Sequence, residues 1–220
     1  MTVGVVVSIA VLLGAFGFAV VRSRSSHSPP LYAYGTSYLA SDTVNTPGTR
    51  YIEQYQHALQ PSEFHNFGKD GATIEDVAAS IDSTWHSQSA IVVIDALTNS
   101  MFLTRTATQA GIQASEPVFR SMINRLGRVA TILVVKQGYP PESDYELYDY
   151  SLSNATIDAW NSMVDRATAG LPNVRVIDTN QGWNPSTMME HLHPTDAGEA
   201  HIAGQLVAAD GVPDGFELNP

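Results

Sequence analysis

The sequence predicts an α/β domain, with a central parallel sheet of about five strands and helices on both faces. Three observations lead there. Ala90–Asp95 (AIVVID) and Val129–Val135 (VATILVV) are apolar without polar alternation, so both faces of each strand need burial, as in a parallel sheet. Such strands alternate with segments of helical period, the pattern of a sheet covered on both sides. After an N-terminal apolar run, roughly 190 residues remain without internal repeat or second core, enough for one domain.

The elements follow in order. Leu31–Gly35 (LYAYG) reads as the first strand, because aromatic residues suit a pleated surface. Gly35 permits a sharp exit and leaves Ser37 just beyond the strand end. In an open α/β sheet that edge is where ligands bind. Residues 41–48 are turn-rich. Arg50–Leu59 fits a helix, with Tyr51, Tyr55, Ala58 and Leu59 along one side, ended by Pro61. Glu63–Phe67 reads as a short second strand, and Gly68 and Gly71 mark a tight loop. Thr73 with Asp76 resembles a capping box opening a helix through Ile74, Val77, Ala78 and Ile81. Ala90–Asp95 is the third strand, Glu116–Leu126 a helix closed by Gly127, and Val129–Val135 the fourth strand. Residues 138–150, with Pro140, Pro141 and four tyrosines, read as a long surface loop. Ser153–Ala169 is a helix with Ile157, Trp160, Val164 and Ala167 on one stripe. Val174–Asp178 is the last strand, and a helix runs from about Thr195 to Ala209.

Before this domain, Val3–Val21 is nineteen residues without a charge, long enough to cross a hydrocarbon core of ~30 Å. It lacks the basic start and small-residue exit of a cleaved signal peptide, so a retained single-pass anchor is expected over residues 1–21. Residues 22–30 read as a flexible linker, followed by the domain at 31–220. Arg22 and Arg24 after the span would place the domain in the cytoplasm.

The net charge is −11, and after residue 41 the domain carries 9 basic against 22 acidic side chains. Such a field repels nucleic acid and leaves neutral substrates unaffected. With no cysteine, disulfides, thiolate zinc sites and cysteine nucleophiles are excluded. His191, His193 and His201 match no zinc-motif spacing, so no metal is expected.

Three strand-end loops each offer one useful group. Ser37 offers a hydroxyl, which needs a base within hydrogen-bond reach to act as a nucleophile. His193 suits, since an imidazole takes and returns a proton near neutral pH. Glu190, three residues earlier, would hold its tautomer. Asp95, Asp178 and Asp196 compete for that role, Asp95 most seriously because it ends a strand close to Asn99. Backbone N–H groups of Ser37 and Gly71, with the Asn99 side chain, form a plausible oxyanion set.

In these blocks the chain resembles the SGNH (GDSL-type) hydrolases, serine esterases and lipases. The family's Gly-Asp-Ser appears as Gly35-Thr36-Ser37. Its Asn-x-Gly-x-x-Gly appears as Asn66-Phe67-Gly68-Lys69-Asp70-Gly71, its Gly-x-Asn-Asp as Leu97-Thr98-Asn99-Ser100, and its Asp-x-x-His-Pro as Glu190-His191-Leu192-His193-Pro194, followed by Gly198 and Ile202-Ala203. Thr36, Leu97, Ser100 and Glu190 depart from the pattern, while serine, glycine, asparagine and histidine are present.

The resemblance implies a flavodoxin-like three-layer sandwich. It implies Ser37 as nucleophile, His193 as base, Glu190 as acid, and Ser37, Gly71 and Asn99 as oxyanion donors, with no cofactor. It also implies a small ester or acylated carbohydrate as substrate, hydrolysed through an acyl-enzyme. Two alternatives use the same fold: a carbohydrate O-acetyltransferase with the same site, and a non-catalytic binding domain suggested by the altered Thr36, Leu97 and Ser100. Acylated surface polymers, common targets of the resembled family, favour an extracytoplasmic domain against the bias of the two arginines.

Overall fold

The computed structural model describes residues 28–40, 46, 48–95, 99–102, 109–128, 130–147 and 153–210. The expected membrane span at Val3–Val21, most of the linker, and Leu97 and Thr98 lie outside them. Among the described residues, no helix is long and apolar enough to cross a membrane.

Strand β1 (Leu31–Gly35) is fully buried and runs into the short helix α1 (Ser37–Ala40). Helix α2 (Tyr51–Leu59) leads to β2 (Phe64–Gly68). Helix α3 (Ile74–Thr84) opens with the expected capping box: Thr73 N donates to Asp76 Oδ2 at 3.0 Å, and Asp76 N to Thr73 Oγ1 at 3.4 Å. Then come β3 (Ala90–Ile94), the short α4 (Asn99–Phe102), α5 (Gln109–Leu126) and β4 (Ala130–Val135). A short helix α6 (Glu142–Leu147) precedes α7 (Asn154–Thr168) and β5 (Val174–Ile177). The chain closes with α8 (Pro185–Met188), a small antiparallel hairpin of β6 (Met189–Glu190) and β7 (His193–Pro194), and α9 (Asp196–Asp210).

The five main strands form one parallel sheet in the order β2-β1-β3-β4-β5. Alternate residues serve opposite faces. Leu31, Ala33, Ile91, Val93, Leu133, Val135 and Ile177 pack with α1, α2 and α9. Tyr32, Tyr34, Val92, Ile94, Ile132 and Val134 pack with α3, α5 and α7. Both faces are covered because every strand side chain that is apolar on either side needs a helix to meet it.

Two expected boundaries differ. Helix α5 begins at Gln109, seven residues before the expected start, and runs through Pro117. A proline near a helix start is read most simply as its first turn, yet this helix continues N-terminally and forgoes one backbone bond there. Within the expected loop at 138–150, residues Glu142–Leu147 are helical. Buried Asp144 sits on this turn of helix and points the segment into the protein.

From β1 the chain crosses first to β2 on one side, then to β3 on the other. Strand order reverses there, and such a switch point opens a crevice beyond the carboxyl ends of the strands. Ser37 follows β1 and Asn99 follows β3, so both lie at its rim.

Candidate active site

The nucleophile candidate sits at the first position of α1, and the turn that carries it is tightly packed. Asp95, at the end of β3, is fully buried and accepts hydrogen bonds from Thr36 N and from Thr36 Oγ1, the latter at 3.0 Å. A side chain at Gly35 would place its Cβ 2.2 Å from Asp95 Cγ. Glycine is therefore required by the close approach of a buried carboxylate. At Gly68 a Cβ would lie 2.4 Å from Leu39 Cβ and 2.8 Å from the Leu39 backbone, so this glycine lets α1 lie directly on β2. Asn66 Nδ2 adds a 2.9 Å bond to Leu39 O. Asp95, the rival for the acid role, is thus engaged with the backbone and hydroxyl of Thr36, beside the nucleophile.

The base candidate comes from the β6–β7 hairpin. His193 Nε2 lies 2.9 Å from Ser37 Oγ, and His193 Nδ1 lies 3.0 Å from His191 O. A carbonyl can only accept, so Nδ1 carries the ring proton and donates it to His191 O. Nε2 is then the free base, accepting from the Ser37 hydroxyl.

Glu190 was expected to orient this imidazole, and the structure puts its carboxylate elsewhere. Its Oε1 is 3.7 Å from His191 Nε2, and its side chain is 61% exposed. Glu190 and His193 pair through their backbones across the hairpin, while the ring nitrogen that would meet an acid is satisfied by the His191 carbonyl. Asp196 is bound instead to Thr46 and Thr49, with Thr49 Oγ1 at 2.7 Å. Asp178 carries an exposed side chain 3.8 Å from Lys136 Nζ.

The two remaining expected positions lie in the turn after β2 and at the start of α4. Gly71 is exposed with φ +70°, in the turn after β2. That turn is tied to the end of β1 by Lys69 N donating to Gly35 O at 3.2 Å. Asn99 begins α4, which is linked to the start of α3 by Ile74 N donating to Ser100 Oγ at 2.7 Å. Asn99 Nδ2 is buried and finds no acceptor. A buried donor without a partner costs ~1–3 kcal/mol, and such a group calls for an explanation, a catalytic role among them.

Beside Gly35, between β2 and α3, a cleft of about 320 Å3 opens. Phe67 supplies an aromatic wall, and Lys69, Asp76, Ser80 and Ser83 supply polar groups. Among the described residues, no cluster of three or more His, Asp or Glu side chains could hold a metal.

Three residues around the hairpin carry no motif signal. Tyr38 Oη contacts Leu192 O at 2.9 Å, Gln137 Nε2 contacts Tyr38 Oη at 2.6 Å, and Leu192 N donates to Asp144 Oδ2 at 3.4 Å. Gln137 lies two residues beyond the end of the apolar strand β4, and a polar residue so close to a doubly buried strand was a signal available in the sequence.

The pattern of the GDSL-like lipase/acylhydrolase family matches residues 32–201. The chain belongs to that family. No curated protein matches its sequence. Among solved structures, the fold is similar to a member of the lipolytic protein G-D-S-L family from Veillonella parvula DSM 2008, with TM-score 0.63, 16% identity, and coverage of 81% of this chain and 96% of that one. It is similar to a lipase/acylhydrolase from Enterococcus faecalis, with TM-score 0.64, 16% identity, and coverage of 82% and 94%. It is also similar to an acetyl xylan esterase, AlAXEase, with TM-score 0.65, 16% identity, and coverage of 82% and 98%. At these identities the likeness concerns the fold.

Proposed function

We propose that this GDSL-like family member is a serine esterase acting on small acyl esters. The observation that carries the reading is the 2.9 Å contact between Ser37 Oγ and His193 Nε2, within the range a base needs to take a hydroxyl proton. Ser37 Oγ attacks the ester carbonyl while His193 Nε2 takes its proton. The imidazolium gives that proton to the departing alcohol, leaving an acyl-Ser37 intermediate. Water, deprotonated by His193, releases the carboxylic acid and restores the hydroxyl.

In this mechanism the His191 carbonyl fills the place expected for Glu190, holding Nδ1–H and stabilising the imidazolium by a hydrogen bond of 3.0 Å. Asn99 Nδ2, with the backbone N–H groups of Ser37 and Gly71, receives the oxyanion. The unspent Asn99 donor supports that assignment, since each such donor contributes ~3 kcal/mol to the transition state.

The acetyl xylan esterase among the similar folds agrees with acetylated carbohydrate as the substrate class. The N-terminal apolar run belongs to the same proposal, as a single-pass tether carrying the domain on the extracytoplasmic side.

A fluorophosphonate probe and a short p-nitrophenyl ester test the reading. The wild-type protein is expected to label at Ser37 and hydrolyse the ester, and Ser37→Ala is expected to lose both. Ester hydrolysis that survives Ser37→Ala would overturn it. The contact between hydroxyl and imidazole also speaks against a purely binding domain, which has no use for a base aimed at a serine.

A further inference from the structure

We infer that Tyr38, the residue after the nucleophile, is a positioning residue that sets the His193 imidazole by gripping the turn between β6 and β7. The inference rests on the esterase reading above and adds a part to its machinery.

The turn itself needs holding. His191 and Leu192 both have positive φ, +48° and +65°. They are the two central residues of a two-residue hairpin loop between paired Glu190 and His193. Such loops require positive φ at both central positions and favour Asn-Gly. A non-glycine residue there is strained, and it persists where the surroundings over-determine it.

The surroundings do so through two peptide planes. Leu192 N–H and His191 C=O belong to one plane. Its N–H donates to Asp144 Oδ2 at 3.4 Å, and its C=O accepts His193 Nδ1–H at 3.0 Å. The next plane carries Leu192 C=O, which lies 2.9 Å from Tyr38 Oη. The two planes that meet at Leu192 are therefore held separately, and one of them orients the imidazole.

The direction of the Tyr38 bond follows from its neighbours. Gln137 Nε2 lies 3.0 Å from Gly138 O, which can only accept, so that atom is the amide nitrogen. Gln137 must then donate to Tyr38 Oη at 2.6 Å, and the single phenol proton goes to Leu192 O. Burial pushes the Tyr38 phenol well above its ordinary range, so the proton stays in place. Gln137 is fixed in turn: its N–H donates to Asn161 Oδ1 at 3.0 Å, and its C=O accepts from Asn161 and Asn180. A continuous path runs from the end of β4 through Gln137 and Tyr38 to the hairpin, then through His191 O and His193 to Ser37. Its stretch from Tyr38 to Ser37 starts and ends on consecutive residues of α1, so a shift of either side is felt as misalignment of hydroxyl and imidazole. The Tyr38 ring also lies 5.9 Å from the His193 ring, centroid to centroid.

Tyr38→Phe removes one oxygen and tests this in the full-length protein. Expected are a kcat toward p-nitrophenyl acetate lower by on the order of 10- to 100-fold, as for a small misplacement of reacting groups, and a KM within about twofold. A downfield NMR resonance of the His193 Nδ1 proton is expected in the wild type and is expected to vanish through exchange in the variant. Gln137→Met, which leaves the phenol in place but loosens it, should change both readouts the same way and by less; it decides the matter alone where Tyr38→Phe does not fold. A Tyr38→Phe protein with reduced Tm but wild-type kcat per labelled site and an intact Nδ1 proton signal would overturn the inference, leaving Tyr38 a packing residue. Failure of the esterase reading looks different: the wild type would resist the fluorophosphonate probe, while the Nδ1 proton would still report whether Tyr38 holds the turn.

Discussion

Ser37 and His193 meet from two regions that hold their charges by different means. On the nucleophile side, β1, α1 and β2 are pressed together until only glycine fits at positions 35 and 68, and a fully buried Asp95 binds the turn at Thr36. On the histidine side, the hairpin is partly exposed, bends through two positive-φ residues, and hangs on single bonds from Tyr38 and Asp144. Packing cannot be undone locally without moving backbone, whereas a hydrogen bond can be removed by deleting one atom. The proposed nucleophile is thus placed by volume and the proposed base by connectivity. Damage on one side should appear as lost folding, and damage on the other as lost rate in a folded protein.

Gly35→Ala is the strongest way to break the nucleophile side. The new methyl would sit 2.2 Å from Asp95 Cγ, and the carboxylate cannot retreat without giving up its bonds to Thr36 in a buried site. A loss of about 3 kcal/mol is expected from overpacking, read as a lower urea midpoint, with activity falling in step with the folded fraction. A folded, inactive Gly35→Ala protein would contradict the division drawn here.

A smaller effect concerns the start of α9, directly after the hairpin. Asp196 accepts bonds from Thr49 Oγ1, Thr46 Oγ1 and Thr46 N, and these hold its carboxyl below the usual carboxylate range. A carboxyl depressed in the folded state stabilises it above the unfolded value near pH 4, and that contribution fades as pH falls through the lower folded value. Tm of the wild type should therefore decline as pH is lowered from about 5 toward 3. Asp196→Asn should be less stable at pH 7 and decline less steeply over the same interval. Parallel curves for the two proteins would show that these bonds carry no linkage.

The same division explains what the sequence could reveal. The sheet was legible because doubly buried strands such as AIVVID and ATILVV carry their burial in their composition, and the capping box at Thr73 and Asp76 is a local rule obeyed locally. Ser37 and His193 were legible as strand-end groups in a known order of blocks. The third partner was not. A motif can point to a side chain such as Glu190, but the group found on His193 Nδ1 is a backbone carbonyl, which every residue possesses and no spacing singles out. Thr36 and Asp95 show a related limit: the carboxylate that the family pattern puts beside the serine is absent at position 36, and one arrives from β3, 59 residues along the chain.

The smallest expected effect is the most discriminating. If a carboxylate at position 190 oriented the imidazole, its neutralisation would cost on the order of 10⁴-fold in kcat, as for the acid of a Ser-His-Asp triad. If the His191 carbonyl does so, Glu190→Gln removes only an exposed interaction, 3.7 Å from His191 Nε2, of a kind worth at most ~1 kcal/mol. The expected kcat is then within about twofold of wild type. His191→Asn sharpens the point, because asparagine tolerates positive φ better than most residues and keeps the carbonyl while deleting the imidazole. It too should leave kcat nearly unchanged. A large loss in Glu190→Gln with none in His191→Asn would return the acid role to Glu190. Near-wild-type rates in both would leave the backbone carbonyl as the group that holds His193, and would explain why the turn carrying it is gripped from two sides.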